Sequence, residues 1–199
     1  MNDKDSTLAY YNNNAQSFVG GTLDVEFTDI QDGFLKYLEP GALILDFGCG
    51  SGRDTRYFLS KGYRVEAIDG SEELVKIARK NTGIEVKQML FQDFNETEKY
   101  DGIFACASIL HVPYTELPDI LTRISNALKP DGIFYTSFKY GEFEGERNGR
   151  YFTNMTEERF DNLLKKIPSL YIIEQYISED VRPGRASEKW LNMILRKNK

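Results

Sequence analysis

Residues Leu43 to Thr55 read LILDFGCGSGRDT, and this stretch limits the fold more than any other in the chain. An apolar run, Leu43-Ile44-Leu45, carries Asp46 and Phe47 and then breaks into glycines at alternate positions, Gly48, Gly50 and Gly52. A buried strand that ends in a glycine-rich turn and enters a helix brings bare backbone and helix N–H groups close to a ligand. The next predicted strand, Arg64 to Ile68, ends in Asp69, 21 residues after Gly48. An acidic side chain there suits a ribose diol. The pattern points to a nucleotide-like cofactor on an α/β sheet.

The rest of the chain alternates between the two periodicities. Ile30, Phe34, Leu35 and Leu38 fall at helical spacing within 27–38, and Pro40-Gly41 closes that helix. Strands are expected at 42–47, 64–68, 84–90, 100–107 and 133–138, with helices at 52–60, 72–80 and 115–128 between them. Lys129-Pro130-Asp131-Gly132 reads as a turn before the fifth strand. This βαβ rhythm calls for a mostly parallel sheet covered on both faces. Residues 139–155 read as a polar, glycine-containing loop, 157–167 as an amphipathic helix, and 171–176 and 191–196 as two last strands.

At 199 residues the expectation is one domain, 1–199, with 1–40 as an N-terminal helical cover. A net charge of -6 argues against a broad nucleic-acid surface, and 41% hydrophobic residues against disorder. Cys49 and Cys106 have neither metal spacing nor a disulfide framework and read as reduced thiols. No metal ligand set is expected. The polar first residues do not resemble a signal peptide, and no window reaches membrane-spanning length. The expected address is cytoplasmic, as a monomer or homodimer.

The ordered motifs resemble the class I S-adenosylmethionine-dependent methyltransferases over nearly the whole chain. Leu45 to Gly52 looks like that superfamily's first motif. It departs from the dinucleotide fingerprint, whose third glycine would fall at Arg53, which weakens a dehydrogenase reading. Ala67-Ile68-Asp69-Gly70-Ser71 matches the ribose-binding strand end, and Phe91-Gln92-Asp93-Phe94 the segment beside the adenine, with Phe94 a candidate to pack on the ring. Ala107 and Ser108 sit at the cofactor-facing end of the fourth strand. The resemblance implies a Rossmann-like, seven-stranded sheet between helices, in the order 3-2-1-4-5-7-6 with the last strand antiparallel. It also implies a cofactor set of Asp46, Gly48, Cys49, Gly50, Arg53, Asp69, Gly70, Ser71, Gln92, Asp93, Phe94, Ala107 and Ser108. More narrowly, Gly52-Arg53-Asp54, Ala107 to Pro113 and Ser137 to Glu142 are similar to small bacterial enzymes near the tellurite-resistance and thiopurine-type methyltransferases.

Several residues have a competing structural reading. Asp46 fits a brace for the glycine turn, needed because a buried carboxylate must find partners. Asp93 also fits a turn opener. Arg53 suits either the cofactor's carboxylate, an anionic substrate, or an ion pair with Asp54. His111, the only histidine, follows the fourth strand and is a candidate general base, best suited near its ordinary pKa; the alternative is a backbone hydrogen bond ahead of Pro113. Tyr11 is a candidate catalytic or covering residue from the N-terminal segment. In 139–155, Lys139, Glu142, Arg147, Arg150 and Tyr151 are candidates to bind a polar acceptor. Asp180, Arg182 and Arg185 fit either the same mouth or a hairpin, and Trp190 reads as core.

The expected reaction is methyl transfer from S-adenosylmethionine to a small-molecule nucleophile, releasing S-adenosylhomocysteine. Methylation of RNA, DNA or protein is a second reading. A cofactor-binding regulatory protein without turnover is a third.

Overall fold

The computed structural model describes residues 3–182, 184, 185 and 187–199. Helix α1 (Asp3–Gly20) and helix α2 (Thr28–Leu35) precede strand β1 (Leu43–Phe47). Helix α3 (Arg53–Ser60), strand β2 (Arg64–Asp69), helix α4 (Glu72–Thr82) and strand β3 (Val86–Gln88) follow. Strand β4 (Tyr100–Ala105), helix α5 (Leu117–Ala127) and strand β5 (Leu128–Lys139) complete the alternating part. The remainder is strands β6 (Glu144–Arg147) and β7 (Arg150–Thr153), helix α6 (Glu157–Leu164), and strands β8 (Leu170–Glu179) and β9 (Lys189–Lys197).

The seven-stranded sheet runs β3-β2-β1-β4-β5-β9-β8, parallel except that β9 is antiparallel to both neighbours. Counting only the strands of this sheet, the order is the expected 3-2-1-4-5-7-6. Its two faces are separated by strand alternation. Leu45, Phe47, Ile103 and Phe134 point into one core with α5, whereas Ile44, Phe104 and Tyr135 point into the other, against Phe34 of α2 and Phe58 of α3. Each of these side chains contributes about 1.5–3 kcal/mol by leaving water. Both faces being covered explains why the strands read as continuous apolar runs.

Local chemistry sets the ends of the elements. Ser71 caps α4 by accepting from the Leu74 N–H at 3.2 Å, Glu72 and Glu73 fill its first turn, and Arg79 and Lys80 its last. Each placement suits the helix dipole. The sequence of β1, then β2 and β3 on one side and β4 on the other, leaves a crevice at the carboxyl ends of β1 and β4, where open α/β sheets receive ligands.

Two segments differ from the sequence expectation. Lys129–Gly132 is a bulge inside β5 and does not interrupt it: pairing steps from Tyr100–Leu128 to Gly102–Ile133, with Asp131 at φ +63°. The polar stretch 139–155 is largely a β-hairpin of β6 and β7. Asn148 and Gly149, at φ +53° and +74°, make the turn, as a two-residue type I′ connection requires.

Candidate functional site

Three successive strand ends form one wall of a cavity of about 820 Å³. Gly48, Cys49 and Gly50 follow β1, Asp69 and Gly70 end β2, and Cys106, Ala107 and Ser108 end β4. Met89, Leu90, Phe91 and Gln92 add an apolar side. The volume lies within the ~300–1,000 Å³ usual for small-molecule sites.

The glycine turn is held from behind. Asp46 Oδ2 accepts from the Thr55 N–H at 3.0 Å and from the Thr55 hydroxyl at 2.6 Å, tying the start of α3 to β1. Asp46 is buried and off the cavity wall; burial and then the nearby Asp54 raise its pKa. Asp69 links the next two segments: Oδ2 accepts from the Gly50 N–H at 2.8 Å and Oδ1 from the Ser71 N–H at 2.9 Å. Burial raises the Asp69 pKa and those two donors oppose the rise. The N–H groups of Gly48 and Cys49 both donate to the Ile68 carbonyl. These turn amides therefore serve the turn itself, and what the glycines present outward is bare backbone. Gly48 sits at φ +87°, and a Cβ there would lie 2.5 Å from Ser108 Cβ. Ala107 adopts φ +49°, costly for a residue with a Cβ, and is held by donating its N–H to Ser137 Oγ at 2.9 Å.

The second half of the cavity lies between α1, the hairpin and β9. His111 stands where the halves meet. Its Nδ1 is 2.6 Å from the Tyr151 carbonyl, which can only accept, so Nδ1 carries the proton. Its Nε2 is consequently the acceptor, and Tyr11 donates its hydroxyl to it at 2.8 Å. Burial and then the positive charge of Arg150 lower the His111 pKa to about 4, with the carbonyl opposing. His111 is therefore a neutral and weak base in this arrangement, where the sequence suggested an ordinary one. Burial raises the Tyr11 pKa as well, so its hydroxyl stays protonated.

α1 roofs the cavity. Leu8, Tyr11 and Phe18 line it, and Asn12 Oδ1 accepts from the Ser71 hydroxyl at 2.7 Å. At the other side, the Tyr151 N–H donates to Thr7 Oγ1 at 2.9 Å. The helix thus bridges from α4 to the hairpin.

Several candidate residues lie away from the cavity. Phe94 is 2% exposed and packs edge-on against Phe47 in the core, while Phe91 takes the place on the wall. Asp93 is exposed and off the wall, and Ser71 is a helix cap. Glu142 is exposed and off the cavity wall, with its carbonyl accepting from Arg159. The Tyr151 side chain donates to Glu144; only its backbone serves His111. Strand alternation explains this, since Arg150 and Phe152 face the cavity and Tyr151 faces away. Arg53 lines the cavity, but its Nε and Nη2 both bond Asp54, at 3.0 and 2.8 Å, and its guanidinium stacks 4.1 Å over Phe27. Burial opposes its charge, and Asp54 together with Cys106 raises its pKa on balance. Lys139 pairs with Glu188, and Arg147 stacks on Phe143. Asp180, Arg182 and Arg185 do reach the cavity, and so does Trp190, whose Nε1 donates to Asp180 at 3.2 Å. Both cysteines line it as well; burial first, and nearby carboxylates with it, push the Cys106 thiol up to about 12 and Cys49 well above its usual range.

Leu8, Phe18 and Asn154 are wall residues that no motif marked. The Asn148-Gly149 dipeptide was the available signal for the last, because a hairpin there fixes which residues of 150–154 point inward.

Residues 44–132 match a family described as a methyltransferase domain. A Staphylococcus carnosus protein described as an uncharacterized methyltransferase is 26% identical over 152 residues, covering 69% of this chain and 73% of that one. The ubiquinone biosynthesis O-methyltransferase of Actinobacillus pleuropneumoniae is 32% identical over 108 residues, covering 49% of this chain and 45% of the enzyme. This chain thus spans under half the length of that relative. Among solved structures, the 1,6-didemethyltoxoflavin-N1-methyltransferase of Burkholderia thailandensis, with 1,6-didemethyltoxoflavin and S-adenosylhomocysteine bound, superposes with a TM-score of 0.77 at 22% identity, covering 99% of this chain and 87% of the other. At that identity it shows a shared fold. Among the described residues, no helix is long and apolar enough to cross a membrane.

Proposed function

We propose that this chain, an S-adenosylmethionine-dependent methyltransferase, methylates a nucleophilic atom of a small molecule held under α1. The observation that carries the proposal is the roof. The cavity runs from Asp69 past His111 to Arg150, and α1 lies over it with Leu8, Tyr11 and Phe18. A compact acceptor fits such a space better than a polymer does. The same reading places the chain, as one unit and as a monomer or homodimer, in the cytoplasm and near the small bacterial tellurite-resistance and thiopurine-type enzymes.

The residues present suit the cofactor. A wall of bare glycine backbone and apolar side chains with one buried acid, Asp69, matches an adenosyl group with a ribose diol. Gly48, Cys49, Gly50, Gly70, Gln92, Ala107 and Ser108 would complete that half. When bound, S-adenosylmethionine supplies an electrophilic methyl carbon on a positively charged sulfur. The chain's part is to align the acceptor, exclude water and receive a proton. His111 Nε2 is the receiving atom, because Nδ1 is already committed to the Tyr151 carbonyl. Tyr11 stands at Nε2 and would pass the acceptor's proton on, giving its own to His111 as it takes the acceptor's.

The test is an incubation with isotopically labelled methyl donor and fractionated cell extract. Label is expected in the small-molecule fraction. Label confined to RNA, DNA or protein, or donor binding without any transfer, overturns the proposal.

A further inference from the structure

Two residues that line the acceptor half of the cavity each carry a buried polar atom with nothing to bond. Arg150 Nε is sealed from solvent without a hydrogen-bond partner, and so is Oδ1 of Asn154, a residue 8% exposed. Leaving such a group unmet carries its full desolvation penalty. Arg150, Phe152 and Asn154 alternate along one side of the chain and so line the same side of the cavity; of the two unmet atoms, Arg150 Nε is the donor and Asn154 Oδ1 can only accept.

Several other cations on this wall have carboxylate partners, whereas Arg147 stacks on Phe143. Arg53 has Asp54, Lys139 has Glu188 and Arg182 has Asp180. Among the described residues no carboxylate pairs with Arg150. Its guanidinium is instead boxed by rings, 4.4 Å from the centroid of Tyr10, 5.1 Å from Phe152 and 5.8 Å from Tyr11. Such contacts fix the position of a guanidinium without cancelling its charge, and its planar fork matches an oxyanion.

We infer that Arg150 binds an oxyanion of the methyl acceptor, a carboxylate or a phosphate, with the body of the acceptor lying against Phe152. This rests on the methyl-transfer reading above and specifies the chemical class of acceptor within it. It also links binding to proton transfer. Burial is the main influence that disfavours a proton on His111 and the charge of Arg150 adds to it, so an anion paired with Arg150 removes the smaller of the two when the acceptor arrives.

Trp190 is the only tryptophan and lines the same cavity, so its fluorescence reports occupancy. The protein is titrated, with and without S-adenosylhomocysteine, with benzoate, phenyl phosphate and neutral benzamide. One of the two anions is expected to bind at least tenfold tighter than benzamide, and whichever does so identifies the carboxylate or the phosphate source. Arg150→Gln should abolish the preference and Arg150→Lys should keep part of it, with the melting temperature and S-adenosylhomocysteine affinity of both variants confirming a folded cofactor half. Equal binding of all three probes, binding of none, or a preference that survives in Arg150→Gln overturns the inference. Failure to bind S-adenosylhomocysteine instead counts against the methyl-transfer reading, and the anion preference is still read in the protein without it.

Discussion

Tyr11 and His111 stand 100 residues apart in the chain, and the tyrosine hydroxyl donates to the histidine Nε2 at 2.8 Å. That bond ties the roof helix to the end of the fourth strand of the sheet. It also fixes which nitrogen of His111 is available, because the Tyr151 carbonyl takes the other. One hydrogen bond thus connects the cover of the site to its candidate base.

Tyr11→Phe keeps the ring and removes the donor. The expected loss is about 1 kcal/mol of stability, the net value of one such bond, measured by urea unfolding. S-adenosylmethionine affinity should change little, while the rate of methyl transfer falls; an unchanged rate removes Tyr11 from the proton path.

Asp69→Asn should weaken S-adenosylmethionine binding by about 1–3 kcal/mol, or about five- to 150-fold in calorimetric Kd. The asparagine keeps the shape and one acceptor oxygen, so the turn at Gly50 is retained better than with alanine. Unaltered affinity would place the ribose elsewhere.

Gly48→Ala should destabilise the protein by about 2–4 kcal/mol, combining a left-handed backbone at φ +87° with a Cβ driven toward Ser108. Adding Ser108→Gly removes the opposing Cβ and should restore the steric part only. A double-mutant cycle with no coupling between the two sites contradicts this account.

Arg53→Met leaves Asp54 with Gln31 as its remaining side-chain donor, so a loss of about 3 kcal/mol is expected from an uncompensated buried carboxylate. Cofactor affinity should stay nearly constant. A large loss of affinity with normal stability would assign Arg53 to the cofactor's carboxylate after all.

His111 gives stability a defined pH dependence. Its folded pKa, about 4, lies below the unfolded value near 6.5, so the unfolded chain takes up the proton first on acidification. The contribution of neutral His111 is complete above pH 6.5 and drains as pH falls toward 4. With its partial exposure the loss is about 1–2 kcal/mol. Comparing urea midpoints of wild type and His111→Gln at pH 7.5 and 5 isolates it; parallel losses in both proteins would show that His111 does not titrate this way.

Much of this architecture could be read from residue order alone. Apolar runs at Leu43–Phe47 and Tyr100–Ala105, amphipathic helices between strands, and glycines after the first strand require a parallel sheet with a ligand edge, since these patterns have local causes. Asp69 was legible for the same reason: it is the last residue of a strand. Phe94 and Tyr151 were not, because one position along a turn or strand decides whether a side chain enters the cavity or the core, and local pattern does not register that step.

The sequence by itself determined the parallel sheet and the half of the cavity built on consecutive strand ends, while the strand order was implied by the family resemblance. Only the tertiary structure decided the acceptor half, where α1, the end of β4, β7 and β9 converge from distant parts of the chain. It set the charge state of His111 chiefly through burial, and it paired Arg53 with Asp54 while leaving Arg150 without a carboxylate. Charge pairing depends on which side chains meet in space, and no spacing along the chain encodes that.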